Sequence, residues 1–297
     1  MIIAFALENL IWKRNKLKPL VSLVGSAIWR FVFVMSACLV VFAIIGLDIF
    51  DGINPTVVGM TFLLHVFGVS AVLLWVKTMQ NMCISVADPL SLFRIIPLTI
   101  ASWLIFGGTL TYVQVALVVG IFVFCASLGF AQGYHENKQK KICCDIQKHT
   151  GDFKKGTLFL LMWCVCVVAM SLIINYMTYM KVNPFGFSAL RAVTFLISAF
   201  VVFMIFKRGE KLSSVKSAFL DKNMMMIGAA FAVGSLLFIV LLGYFDNVGI
   251  LEAIGVASVT IVVLCGTLFM KEKLKWYSFI LIGLILACVA VLSIITV

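Results

Sequence analysis

At 297 residues the chain is 63% hydrophobic and only 12% charged, with a mean hydropathy of +1.17. Soluble domains carry about 25% charged residues, so this composition excludes a hydrated globular surface and points to a chain solvated by lipid. The net charge of +11 is not a nucleic-acid footprint, because the basic residues stand in short segments between apolar runs.

A helix needs about 20 apolar residues to cross a bilayer. By that criterion the first half reads as spans over Met1–Trp12, Leu20–Leu47, Thr56–Thr78, Ile84–Phe106 and Tyr112–Gln132. A polar linker, Gly133–Lys155, follows. The second half reads as Gly156–Met180, Phe185–Phe206, Met224–Tyr244, Gly249–Met270 and Trp276–Val297. Met1–Trp12 is short for a span and carries Glu8 and Asn9. It is apolar first and basic afterwards, the reverse of a secretory signal, so none is expected.

The linker divides the chain near its middle, as a duplication would. Shifted by 161 residues, Gly25–Ile44 falls on Gly186–Ile205, with Gly25 on Gly186 and Arg30 on Arg191. Shifted by 164, Asp88 falls on Glu252 and Leu110 on Leu274. Charged matches inside spans weigh more than Val or Phe identities, because charge is rare in hydrocarbon. Five spans per half make the second half enter from the opposite face. The expected fold is therefore all-α and polytopic: ten transmembrane helices as two inverted five-helix repeats, residues 1–132 and 156–297, joined by the loop 133–155.

Lys and Arg set the orientation. They cluster after the first span (Lys13, Arg14, Lys16, Lys18), in the central linker, after the seventh span (from Lys207 to Lys222) and at Lys271, Lys273 and Lys275. The opposite loops hold Asp48, Asp51 and Asp246, with Lys181 the one base. This places the central linker in the cytoplasm and the C-terminus outside, in a multi-pass chain of the cell (inner or plasma) membrane.

Ionisable groups inside spans are the candidate site. Asp88 and Glu252 each open a helix at matching positions, where the helix dipole favours a carboxylate; the alternatives are a structural role and a cation or proton site coupled to transport. Arg30 and Arg191 lie deep in their spans, where a lone arginine snorkels or finds a partner. Arg94 has no basic counterpart, since Ser258 stands at the matching position, and is the better anion-binding candidate. His65, alone on an apolar helix, is either a satisfied core group or a proton-coupling residue. Trp163 lies several residues inside its span, which fits an interfacial anchor poorly. The nine cysteines show no metal-ligand spacing. Ala230-x-x-x-Gly234 and Gly255-x-x-Ser258 read as close helix packing.

The hinge Lys271-Glu272-Lys273-Leu274, the closing-span Gly283 and the proline-entered, arginine-bearing Asn183-Pro184-Phe185-Gly186-Phe187-Ser188-Ala189-Leu190-Arg191 together resemble the EamA-like ten-helix members of the drug/metabolite transporter superfamily. The first half repeats this as Pro19 and Arg30, then Gly108-Thr109-Leu110 and Gln114, without the hinge glutamate. The resemblance implies alternating access around a central cavity. It puts Trp75, Trp163, Asn175, Tyr176 and Thr260 on cavity-lining spans, and makes Arg30 and Arg191 a structural pair. The expected partners are a small-molecule substrate, the lipid bilayer and a coupling proton or other ion, with the chain a monomer or homodimer. No catalytic constellation, phosphate-cradling loop or nucleotide motif appears, so neither an enzyme nor a cofactor is expected. The leading function is a secondary transporter of a small organic metabolite (an amino acid, amine or similar amphipathic compound), an exporter coupled to protons. The alternatives are a transporter or flippase of a lipid-like substrate, a membrane-embedded enzyme and a non-transporting subunit.

Overall fold

The computed structural model describes residues 1–14, 17–46, 51–82, 84–107, 111–138, 153–206, 213–242, 255, 257–270 and 276–296. Their regular structure is helical throughout. The elements are α1 (Ile2–Arg14), α2 (Pro19–Ile45), α3 (Pro55–Asn81), α4 (Ile84–Leu90), a 3₁₀ turn (Ser91–Arg94), α5 (Ile95–Phe106), α6 (Tyr112–Lys138), α7 (Phe153–Tyr179), α8 (Pro184–Phe206), α9 (Ser213–Phe219), α10 (Lys222–Leu242), α11 (Ala257–Met270) and α12 (Trp276–Thr296).

Among the described residues seven helices are long and apolar enough to cross a membrane: Pro19–Ile44, Pro55–Asn81, Ala87–Phe106, Tyr112–Ala131, Lys154–Tyr179, Pro184–Phe206 and Lys222–Leu241. Ala257–Gly266 and Trp276–Leu292 are shorter apolar stretches. α1 has 13 residues, which at 1.5 Å each fall short of a hydrocarbon core about 30 Å thick. The side chains are sorted as lipid demands. Ile44, Leu104, Leu268 and Ile294 are exposed, while Ser22, Ser26, Thr61, Thr78, Asp88 and Arg191 are buried. An apolar exterior this extensive needs a bilayer to cover it. The chain is a multi-pass membrane protein.

Local chemistry fixes the helix starts. Asn54 Oδ1 accepts the Val57 amide at 3.0 Å, with Pro55 as the first helical residue of α3. Asn183 repeats this for α8, accepting the amides of Phe185 (2.9 Å) and Gly186 (3.3 Å) ahead of Pro184. Asp221 caps α10 through Asn223 (2.7 Å). Thr111 and Gln114 form a reciprocal capping box at α6: the Thr111 amide donates to Gln114 Oε1 at 3.0 Å, and the Gln114 amide to Thr111 Oγ1 at 3.3 Å. Gly46 ends α2 and Gly107 ends α5, each in the left-handed conformation, with φ of 66° and 69°.

The helices fall into two compact units. The first holds Ile3–Leu73 and Ala169–Tyr244, the second Leu74–Val168 and Phe245–Val297. Each unit thus draws on both halves of the sequence, and α3 and α7 contribute one end to each.

In the first unit α2 packs on α8, α9 and α10. Gly228 on α10 meets the α2 backbone: a Cβ there would run into Trp29 and come within 3.0 Å of the Arg30 amide nitrogen. Trp29 stacks on Phe219 at 5.0 Å and donates its indole N–H to the Phe219 carbonyl at 3.0 Å, which fastens the short helix α9. α9 lies where the sequence reads as a loop.

In the second unit α6 packs on α12, and α4 on α6 and α11. Its core holds Val118, Ile121, Cys125 and Leu128 of α6 with Ile282, Ile285, Val289 and Leu292 of α12. Taken in order, each α6 residue and its α12 counterpart are 164 residues apart, the offset that relates Asp88 to Glu252.

The close-packing expectation is met in part. At Gly234 a Cβ would meet the Phe5 ring at 2.9 Å, whereas at Gly255 it would meet nothing among the described residues.

Candidate functional site

The fourth expected span is not one continuous helix. Pro89 lies inside α4, and Pro97 in the first turn of α5. Each lacks the N–H that would bond to the carbonyl four residues back. Between them Ser91–Arg94 tightens to 3₁₀, so the Ile95 amide bonds to the Leu92 carbonyl. That leaves the Ser91 carbonyl for a side chain: Cys164 Sγ of α7 donates to it at 3.6 Å. A 3₁₀ segment inside a span marks a hinge or a functional break. In membranes, backbone irregularity of this kind survives only where protein or a cavity covers it.

Asp88 and Arg94 flank the break. Asp88 is 2% exposed, in the second turn of α4 rather than at a helix start. Its carbonyl accepts Ser91 Oγ–H at 2.6 Å, and Arg94 Nη1 donates to Ser91 Oγ at 3.3 Å. Arg94 lies within electrostatic reach of the Asp88 carboxylate. Its guanidinium stands 5.1 Å from the Trp163 ring, and Trp163 packs on Trp75 with centroids 4.8 Å apart. Helix α3 therefore supplies Trp75, the broken span Asp88, Ser91 and Arg94, and α7 Trp163 and Cys164. α11, which carries Thr260, packs on α4. The Thr260 hydroxyl is buried without a hydrogen-bond partner among the described residues. The arrangement offers one carboxylate, one guanidinium and two indole faces. It can bind an organic cation or zwitterion through cation–π contact and charge.

Four of the candidates read from sequence, Trp75, Asp88, Arg94 and Trp163, come together here, with Thr260 on a helix packed against the broken span. His65, Asn175 and Tyr176 belong to the first unit. Asn175 is buried and Tyr176 half-buried. Glu252 lies outside the described residues, as do the hinge from Lys271 to Lys275 and its first-half match Gly108–Leu110. Sequence reading missed Ser91 and passed over Cys164. Pro89 and Pro97, eight residues apart around Ser91, were the available signal.

Arg30 and Arg191 are in the first unit. Arg30 Nη2 donates to Glu8 Oε1 at 2.7 Å, an ion pair that is buried on both sides. Trp12 Nε1 donates to the same oxygen at 3.2 Å. The Arg30 guanidinium also stacks over Phe231 (3.7 Å) and lies 5.2 Å from Phe195. Arg191 Nη1 donates to Ser235 Oγ at 3.3 Å. His65 packs against Phe195 at 5.3 Å.

No family model matches the sequence, and no curated protein does. The fold does recur among solved structures. One, described only as "Crystal structure of protein", aligns over 99% of this chain and 98% of its own at a TM-score of 0.65 and 13% identity. The chain shares that fold.

Proposed function

We propose that this protein is a secondary transporter that moves a small organic metabolite by alternating access, as an EamA-like exporter would. The observation that carries the reading is the broken span, with Asp88 and Arg94 on either side of the break and the Trp75–Trp163 pair beside them. Discontinuous helices with ionisable groups at membrane depth are how secondary transporters build substrate and coupling sites. An amino acid or amine suits the cluster, with Trp163 and Trp75 taking the cationic end and Arg94 an acidic one. Asp88 is the group placed to exchange a proton against the substrate. Nothing in the cluster resembles a nucleophile held by a base, so the chemistry is binding and translocation rather than catalysis.

The inverted duplication is part of the proposal. It is supported by the packing of α2 on α8, α4 on α11 and α6 on α12, each a helix against its counterpart in the other half. It is also supported by the constant 164-residue offset across the α6–α12 core. In the same way the buried Val34 and Cys38 fall on the buried Phe195 and Ala199 at the 161-residue offset. On this reading α11 and α12 are the last two of ten spans, and α1, too short for the full hydrocarbon core, takes the place of the first where the bilayer thins around it.

The test is counterflow in proteoliposomes holding the purified protein alone, screened over amino acids, choline-like cations, nucleosides and sugars, with and without a pH gradient. One class is expected to exchange above empty liposomes. Trp163→Ala should raise its half-saturation concentration about tenfold or more, and Asp88→Asn should remove the response to the gradient. Exchange that no screened compound supports, or that both variants leave untouched, would sink the reading.

A further inference from the structure

Arg191 sits in the third turn of α8, 8% exposed. Apart from the Ser235 hydroxyl its charged group has little to hold. Its Nε makes no hydrogen bond among the described residues, and the nearby Phe187 ring is 5.6 Å away. Ring faces and one neutral hydroxyl offset only part of the cost of burying a guanidinium.

Arg30 shows what is missing. It lies at the matching position of α2 and is neutralised by Glu8. The offset that carries Arg30 onto Arg191 carries Glu8 onto Ala169, so the second half has no acid there. Among the described residues of this unit the buried charged side chains are Glu8, Arg30 and Arg191, one carboxylate for two guanidiniums.

His65 adds a second unfilled group. It is 4% exposed and neither ring nitrogen has a side-chain partner or a well-formed hydrogen bond among the described residues, although the Arg191 backbone lies close enough to interact with the ring. The ring lies in the electrostatic field of both Arg191 and Arg30. Gly68, one turn on, leaves it room, since a Cβ there would stand 3.3 Å from Nδ1.

We propose that Arg191, Ser235 and His65 form a binding site for a small oxyanion group, a carboxylate or a phosphate. The planar guanidinium offers a fork that such a group fills with two hydrogen bonds. The Ser235 hydroxyl and the imidazole supply further donors, and the anion supplies the charge that Glu8 supplies to Arg30. The inference goes beyond the transport reading and does not depend on it, because its readout is binding and not flux.

The full-length protein is reconstituted in phosphatidylcholine nanodiscs, and its unfolding midpoint is followed against sodium acetate and sodium phosphate, with chloride holding the ionic strength constant. A second preparation adds phosphatidylglycerol to the bilayer. A ligand bound by the folded state raises the midpoint in a saturable way. A rise with acetate or phosphate makes the anion a soluble one, and a rise confined to phosphatidylglycerol makes it a lipid headgroup; either supports the site. Arg191→Lys, which keeps the charge and loses the fork, should raise the concentration needed by roughly ten- to hundred-fold. Ser235→Asp should abolish the response and raise the anion-free midpoint, because its carboxylate sits on the guanidinium. A wild type that responds to none of the three, or a Ser235→Asp variant that responds like the wild type, overturns the proposal. If Arg191→Lys does not fold, Ser235→Asp decides alone.

Discussion

A single carboxylate decides the fate of the first buried arginine. Glu8 Oε1 accepts from both Arg30 and Trp12, so removing it leaves a buried charge and an indole N–H without their acceptor. Breaking a buried ion pair from one side costs about 3–5 kcal/mol, whereas replacing both partners by apolar groups of similar size is often neutral. Glu8→Gln should therefore lower the unfolding free energy of the reconstituted protein by about that amount. The double variant Glu8→Leu with Arg30→Met should recover most of the loss, and a cycle in which the two changes simply add would show that the pair is not coupled. At this scale the sequence was legible as chemistry and opaque as pairing. Glu8 stood out as a flaw in a short apolar helix, and Arg30 as a lone charge. Their 22-residue separation becomes a 2.7 Å contact only because α1 and α2 fold against each other. The likeness of Arg30 and Arg191 was visible, but the acid that separates their roles was not.

At the scale of elements, helix identity was largely written in hydropathy and helix starts in local chemistry: Asn54-Pro55 and Asn183-Pro184 announce α3 and α8 through their caps. The interruption of the fourth span was not seen, because hydropathy averages over prolines that a hydrogen-bond count would have caught. Pro89→Ala restores one backbone donor inside α4. It should raise stability modestly while reducing substrate exchange, if the break serves transport; unchanged exchange would make the break merely structural. Close packing is legible in part: Gly234 meets the Phe5 ring, whereas Gly228, outside the small-residue pairs that the sequence marks, lies tight against the α2 backbone. Gly228→Ala would drive its methyl into the Trp29 Cβ and the Trp29–Arg30 backbone, none of which can turn aside as the end of a flexible side chain could. It should force α2 and α10 apart and cost about 1–3 kcal/mol, read as a lower unfolding midpoint with reduced burial of Trp29 by fluorescence. Gly255→Ala, which would meet nothing within 4 Å among the described residues, serves as the control.

For the molecule as a whole, the offset between halves was the most informative feature of the sequence. It reappears in the core of the second unit, residue for residue, across α6 and α12. What sequence could not reveal is that the compact units take elements from both halves, because that depends on which distant helices meet. An inverted duplication makes a direct prediction about sidedness. Tyr112 and Trp276 begin helices 164 residues apart and are both well exposed. Cysteines placed there in a cysteine-free background should be labelled by an impermeant maleimide from opposite faces of the membrane. Labelling of both from one face would exclude an inverted relationship between the halves.

The unequal treatment of the two arginines has a consequence for biogenesis. When α2 leaves the ribosome, the acid that neutralises its arginine has already been synthesised, and Glu8 and Arg30 can enter the bilayer as a paired charge. α8 emerges with its guanidinium alone, at an insertion cost of about 2.5–3.5 kcal/mol at mid-membrane, set against the favourable transfer of its many Phe, Leu, Ile and Val residues. Ser235, its hydroxyl partner, is translated later. Of the two arginine-bearing helices, α8 is thus the one whose integration should falter first when translation is halted before α10 has been made.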